Sequence, residues 1–208
     1  MRLPSLITLC TICFLQIGCG PQSPIIAPSD LAPADAPELP QVAHPEYTHW
    51  SRFPIGTKVI RYKEAYNDHG KVKVTTTITL ADKSEKQVVV ESQITVEREN
   101  MPAEVNPSFT AEYPATFPLP ANLKLEQFTL PSLKAKVIGE ENQSVAGKDF
   151  ATTIYGWQEV NEAGPMDVKV WRSDDVPGRT VREESLTIST QNKSLETVIE
   201  ISIPEPTK

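Results

Sequence analysis

Few residues in this chain have both a reactive side chain and a spacing that chemistry can use. The cysteines are Cys10, Cys13 and Cys19, all near the start. None occurs in residues 20–208, so a folded domain there has neither a disulfide nor a thiolate metal site. Asp174 and Asp175 are adjacent carboxylates, but catalysis or Ca²⁺ binding needs partners at defined spacing, and no D-x-D-x-D-G run supplies them. With Ser173 before them and Pro177-Gly178 after, they read as turn formers: short polar side chains, then a fixed φ, then a permissive one. His44, His49 and His69 form no H-E-x-x-H pair. The serines sit in no G-x-S-x-G elbow, and the glycines are scattered rather than gathered into a phosphate-cradling loop. The expectation is therefore no catalytic residue, no metal and no cofactor. Tyr62, Trp157 and Trp171 are the aromatic candidates for a ligand groove, with burial in the core or at a sheet rim as the more ordinary fate.

The elements that must position these residues carry a period of two. Lys71 to Leu80 puts Val72, Val74, Ile78 and Leu80 on one face, with Lys71, Lys73 and alternate threonines on the other. Gln87 to Glu97 repeats the pattern with Val88, Val90, Ile94 and Val96 inward. Thr57 to Tyr66 reads as a strand with Ile60, Tyr62 and Tyr66 on one side. Lys148 to Glu159, Asp167 to Trp171 and Thr180 to Thr190 read as strands. Leu195 to Ile203 reads as another, with Leu195, Ile199, Ile201 and Ile203 sharing a face. Trp50 and Phe53 lead in as an aromatic pair tucked under the sheet. Prolines across Asn100 to Pro120 exclude a central strand or a helix there, while Tyr113 and Phe117 can lay that loop over an apolar face. Leu123 to Leu130 is ambiguous between a short helix and a strand. No convincing 3.6 period appears. The fold class expected is mostly β: a curved antiparallel sheet or half-barrel of about 7–9 strands, little helix, one face apolar and one polar.

Before the domain, Leu6 to Ile17 is an apolar run too short to span a membrane, which takes roughly 20 residues, and it follows Arg2. It ends at Ile17-Gly18-Cys19. Leu15-Gln16-Ile17-Gly18-Cys19 resembles a bacterial lipobox, although Gln16 stands where Leu, Val or Ile is usual. The resemblance implies cleavage between Gly18 and Cys19, acylation of the Cys19 thiol, and a membrane anchor. Gly20, by analogy with the same family, favours the periplasmic side of the outer membrane. The alternative is an ordinary signal peptide with an incidental cysteine. Residues 20–45 carry prolines every few positions and read as an extended tether. The domains expected are thus a signal peptide over 1–18, the acylated cysteine with its disordered tether over 19–46, and one antiparallel β domain over 47–205. The formal charge is -7, and Arg2 is the only charged residue in 1–18, so the remainder carries about -8. That sign opposes nucleic-acid binding, which rests on Lys and Arg neutralising phosphates.

The second half bears a further resemblance. Gly147-Lys148-Asp149-Phe150 and a strand are followed by Val168 to Gly178, in which Trp171, Ser173, Asp174, Val176, Pro177 and Gly178 occur in order. This layout resembles envelope proteins of the LolA-like lipoprotein-carrier superfamily, which are half-barrels with an apolar concave face and helices packed into it. Here only Leu123 to Leu130 offers a helix candidate. The resemblance implies a non-enzymatic envelope protein that binds an apolar or lipidated ligand. The alternative is a structural or protein-interaction module with a solid β core, its partner another envelope protein.

Overall fold

The structure, a computed structural model, describes residues 39–67 and 70–205. The signal sequence, Cys19 and most of the tether lie outside the described residues, as does His69. The folded unit is mostly antiparallel β, as the periodicity implies. Its strands are β1 (Gln41–Ala43), β2 (Lys58–Asn67), β3 (Gly70–Lys83), β4 (Gln87–Arg98), β5 (Glu104–Val105), β6 (Phe109–Pro114), β7 (Thr116–Pro118), β8 (Lys136–Val145), β9 (Lys148–Asn161), β10 (Gly164–Arg172), β11 (Thr180–Thr187) and β12 (Lys193–Ser202). One short α-helix, α1 (Pro45–Trp50), precedes β2. Leu125–Thr129 is a 3₁₀ turn, which resolves the ambiguous segment. The fold begins earlier than composition indicated: β1 pairs with β7, and α1 starts at Pro45, so residues 39–46 belong to the domain and not to the tether.

The main sheet is open and runs β5-β4-β3-β2-β12-β11-β10-β9-β8, with β6 also paired to β4. Two meanders thus meet where β2 pairs with β12. The prolines explain the outer edge. β5 and β6 together cap β4, and Pro114 sits at the end of β6, where a missing N–H costs no ladder bond to a further strand. At the other end β8 lies close to β12 although three strands separate them in the sheet, so this half curls strongly.

Register fixes the faces. Tyr155, Val170, Glu183, Glu196, Lys63, Val74 and Val96 form one row across seven strands. This inner face also carries Ile78, Leu80, Val88 and Val90, on which Trp50, Phe53, Tyr47 and Tyr113 pack. The lead-in aromatic pair therefore lies where the sequence placed it. A second cluster joins Val59, Val145, Phe150, Trp171, Val176, Val181 and Val198 at the curled end.

On β2 the side shared by Ile60, Tyr62 and Tyr66 is the outer one: Val59 and Arg61 face inward, and Tyr66 is 55% exposed. Two sequence expectations change. On β12 a bulge between Val198 and Glu200 breaks the alternation: Val198 and Ile201 turn inward, while Leu195, Ile199 and Ile203 stay exposed. Finally, the inner face is not uniformly apolar. Arg61, Lys63, Glu183 and Glu196 cross its middle, separating Val74 and Val96 from Val170.

Leu80 is fully buried beneath the α1 segment. Leu80→Ala removes its methyl groups and leaves a cavity, so it should cost about 3 kcal/mol. Urea unfolding of the variant should show a lowered midpoint with an unchanged slope.

Candidate functional site

The Ser173–Gly178 turn connects β10 to β11, as its composition implies, but it is not an exposed hairpin tip. Val176 and Pro177 are fully buried. Backbone bonds tighten it: Ser173 N–H donates to Arg179 O (2.9 Å) and Arg179 N–H to Val176 O (2.8 Å). Gly178 and Arg179 both take positive φ, +72° and +60°. A Cβ at Gly178 would lie 3.1 Å from Arg61 Nη2 and 3.3 Å from Trp50, so a side chain there would crowd both neighbours as well as strain the backbone.

Side chains fasten this turn over the inner face. His49 Nε2–H donates to Val176 O at 3.0 Å, Arg61 Nη2 to Gly178 O at 3.2 Å, and Arg52 Nη1 to Asp174 O at 3.2 Å. Arg179 donates to Pro45 O at 3.0 Å and pairs with Glu46 on α1. Its Nε also pairs with Asp174 at 3.2 Å. Asp174 and Asp175 themselves are exposed, and Asp175 approaches only Arg52, at 3.9 Å. Among the described residues no group of three or more His, Cys, Asp or Glu is placed to hold a metal.

Beside this clasp lies a cleft of about 310 Å³. It is lined by Ala151, Thr153 and Tyr155 of β9, by Arg172, Ser173, Asp174 and Arg179, and by Thr129 of the 3₁₀ turn. The alternation of β9 gives these residues to the cleft, whereas Phe150 and Ile154 serve the core on the opposite face. Arg172 donates through Nη1 to Thr129 O, while its Nε is buried without an acceptor. Burial, and then the neighbouring Arg179 cation, lower its pKa.

The three candidate aromatics do not converge. Tyr62 lies on the outer face between Thr75 and Thr197, its hydroxyl donating to Glu64 at 2.8 Å. Trp157 is half-buried opposite Val168, its N–H on Glu159 at 2.7 Å. Trp171 is core: its N–H donates to Glu141, and the Arg182 guanidinium stands 5.0 Å over its ring. Sequence reading passed over Arg172 and Arg179. The available signal was their position, bracketing Ser173-Asp174-Asp175 within one turn.

No family model matches the chain, and no curated protein matches it. Among solved structures it is similar to a candidate exported protein with a YmcC-like fold from Bacteroides fragilis: 9% identity, 72% of this chain and 97% of that one, TM-score 0.46. It is also similar to a candidate lipoprotein from Parabacteroides distasonis: 12% identity, 72% and 97% covered, TM-score 0.42. A third is a candidate outer-membrane lipoprotein-sorting domain from Vibrio parahaemolyticus, at 5% identity, 77% and 91% covered, and TM-score 0.27. At these identities and TM-scores the likenesses assign no function to this chain.

His49 gives the clasp a pH dependence. Burial, reinforced by Arg179, lowers its pKa from 6.5 to about 4. The unfolded chain therefore binds this proton near pH 6.5 and the folded one only near pH 4. Stability from this group is complete above pH 6.5 and is lost as pH falls toward 4, by about 3 kcal/mol. Glu183 acts with the opposite sign: burial raises its pKa, so its contribution is lost as pH rises. His49→Phe should remove most of the fall between pH 6.5 and 4, measured by urea unfolding at a series of pH values.

Proposed function

We propose that this chain is a lipid-anchored bacterial envelope protein, non-enzymatic, whose curved sheet binds an apolar or lipidated ligand on its inner face. The anchor rests on the sequence, where a short apolar run ends at Ile17-Gly18-Cys19 and a proline-rich stretch follows. Two acyl chains on Cys19 would hold it stably, since one alone gives only marginal binding. By the lipobox analogy the domain stands on the periplasmic side of the outer membrane.

The ligand reading is carried by one observation: the inner apolar face is covered at one end only. Leu80, Val88 and Val90 are buried beneath Trp50 and Phe53, while Val72, Val74, Ile94 and Val96 on the same strands are left half-buried. The charged row beside these valines favours a ligand with a polar part as well as an apolar one. A structural role with a solid core draws support from the clasp, which extends the cover at that same end across the sheet, packing Val176 against Val59, Val181 and Val198.

Mass spectrometry of the native protein extracted from membranes should give a Cys19 N-terminus carrying acyl chains together with a co-purifying lipid. Cys19→Ser should release the protein into the soluble fraction. An acylated chain that brings no lipid with it would favour the structural role. An uncleaved or unacylated chain as the main species would sink the anchor.

A further inference from the structure

We propose that the cleft beside the clasp is an oxyanion-binding site, taking a phosphate group on the Arg172 guanidinium. Three features of the cleft point there.

The first is unspent charge. Arg61 and Arg182 also hold a buried Nε without an acceptor, but each has a carboxylate nearby, Glu196 and Glu184. Arg179 is paired with both Glu46 and Asp174. Among the described residues Arg172 has no carboxylate at ion-pair distance: its hydrogen bond goes to the neutral carbonyl of Thr129, and Glu46 and Asp174 act on it only from further off. Counting these groups, the cleft and its rim hold two arginines against two carboxylates, and both carboxylates are committed to Arg179. Asp174 also lines the cleft, and its repulsion of an incoming anion is offset by that pairing, at 3.2 Å.

The second is donor chemistry. A guanidinium binds phosphate through two parallel N–H groups, and hydroxyls complete the shell. Thr153, Tyr155 and Ser173, three hydroxyl-bearing residues, line the same cleft. The third is size: about 310 Å³ lies at the lower end of the range for small-molecule sites, with ample room for a phosphomonoester. Burial and the Arg179 cation lower the pKa of Arg172 against the opposing pull of Glu46 and Asp174, as for a cation held partly out of water.

The chemistry is that of a phosphate group, whether free or esterified to a lipid headgroup. The inference gives a polar end to the ligand proposed above for the inner face, yet its test involves neither the anchor nor an apolar tail. The full chain in a nonionic detergent is titrated calorimetrically with inorganic phosphate at constant ionic strength, and separately with glycerol 3-phosphate. Saturable binding is expected, weakened roughly tenfold or more by Arg172→Gln and about threefold by Tyr155→Phe. Arg172→Lys keeps the charge but not the fork, so it should weaken binding too. It serves as the test variant if the near-ultraviolet circular dichroism of Arg172→Gln departs from the parent. Tighter binding of glycerol 3-phosphate identifies an esterified headgroup as the ligand, and equal binding identifies free phosphate. Heats equal to those of a chloride control, or a folded Arg172 variant that binds as the parent does, would overturn the site. Lipid recovered with the native protein alongside such a result would leave the proposed function standing and remove only this site.

Discussion

The structure depends on one contact between distant parts of the chain: the α1 segment lying across the Ser173–Gly178 turn. The sheet has two open edges and a large inner face, and a sheet of this kind cannot bury its apolar side by itself. Trp50 and Phe53 cover the first meander, and Val176 and Pro177 cover the junction with the second. The two plugs are joined by the His49 hydrogen bond to Val176 O and by Arg179 reaching Pro45 and Glu46. Because these bonds lie in or beside a buried region, losing one leaves a polar group without a partner, which costs more than the bond itself contributes.

That contact also creates the cleft. Holding the turn down over the sheet brings Arg172 and Arg179 to the same cleft as Thr153 and Tyr155 of β9, where Arg172 also meets Thr129. A hairpin tip projecting into solvent would have dispersed these groups. The same placement leaves the two aspartates at the edge of the cleft. They stay exposed at the rim, where Asp174 neutralises Arg179 and leaves Arg172 as the cation without a carboxylate.

The alternation of apolar side chains made the first meander legible residue by residue: Val72, Val74, Ile78 and Leu80 share a face with Val88, Val90, Ile94 and Val96. The same reading failed on β12, where one extra residue at the bulge inverts every side chain after it; on β2 it grouped Ile60, Tyr62 and Tyr66 on one side without telling that this side is the outer one. A large aromatic side chain on the outer face gains from cross-strand packing, so hydrophobicity alone does not name the buried side. The cleft was illegible for a related reason. Arg172 adjoins the turn in sequence and meets β9 by strand pairing, but Thr129 reaches it only through the tertiary fold.

Sequence by itself determined the β class, the turn at Ser173–Gly178, the aromatic lead-in and the apolar N-terminal run ending at Cys19, because each is a local pattern of residue type and spacing. Only tertiary structure decided that the turn folds inward, that residues 41–50 join the domain, that charges cross the inner face and that one arginine is left without a carboxylate. Those outcomes depend on which segments far apart in the chain compete for the same buried surface, and no local pattern records that competition.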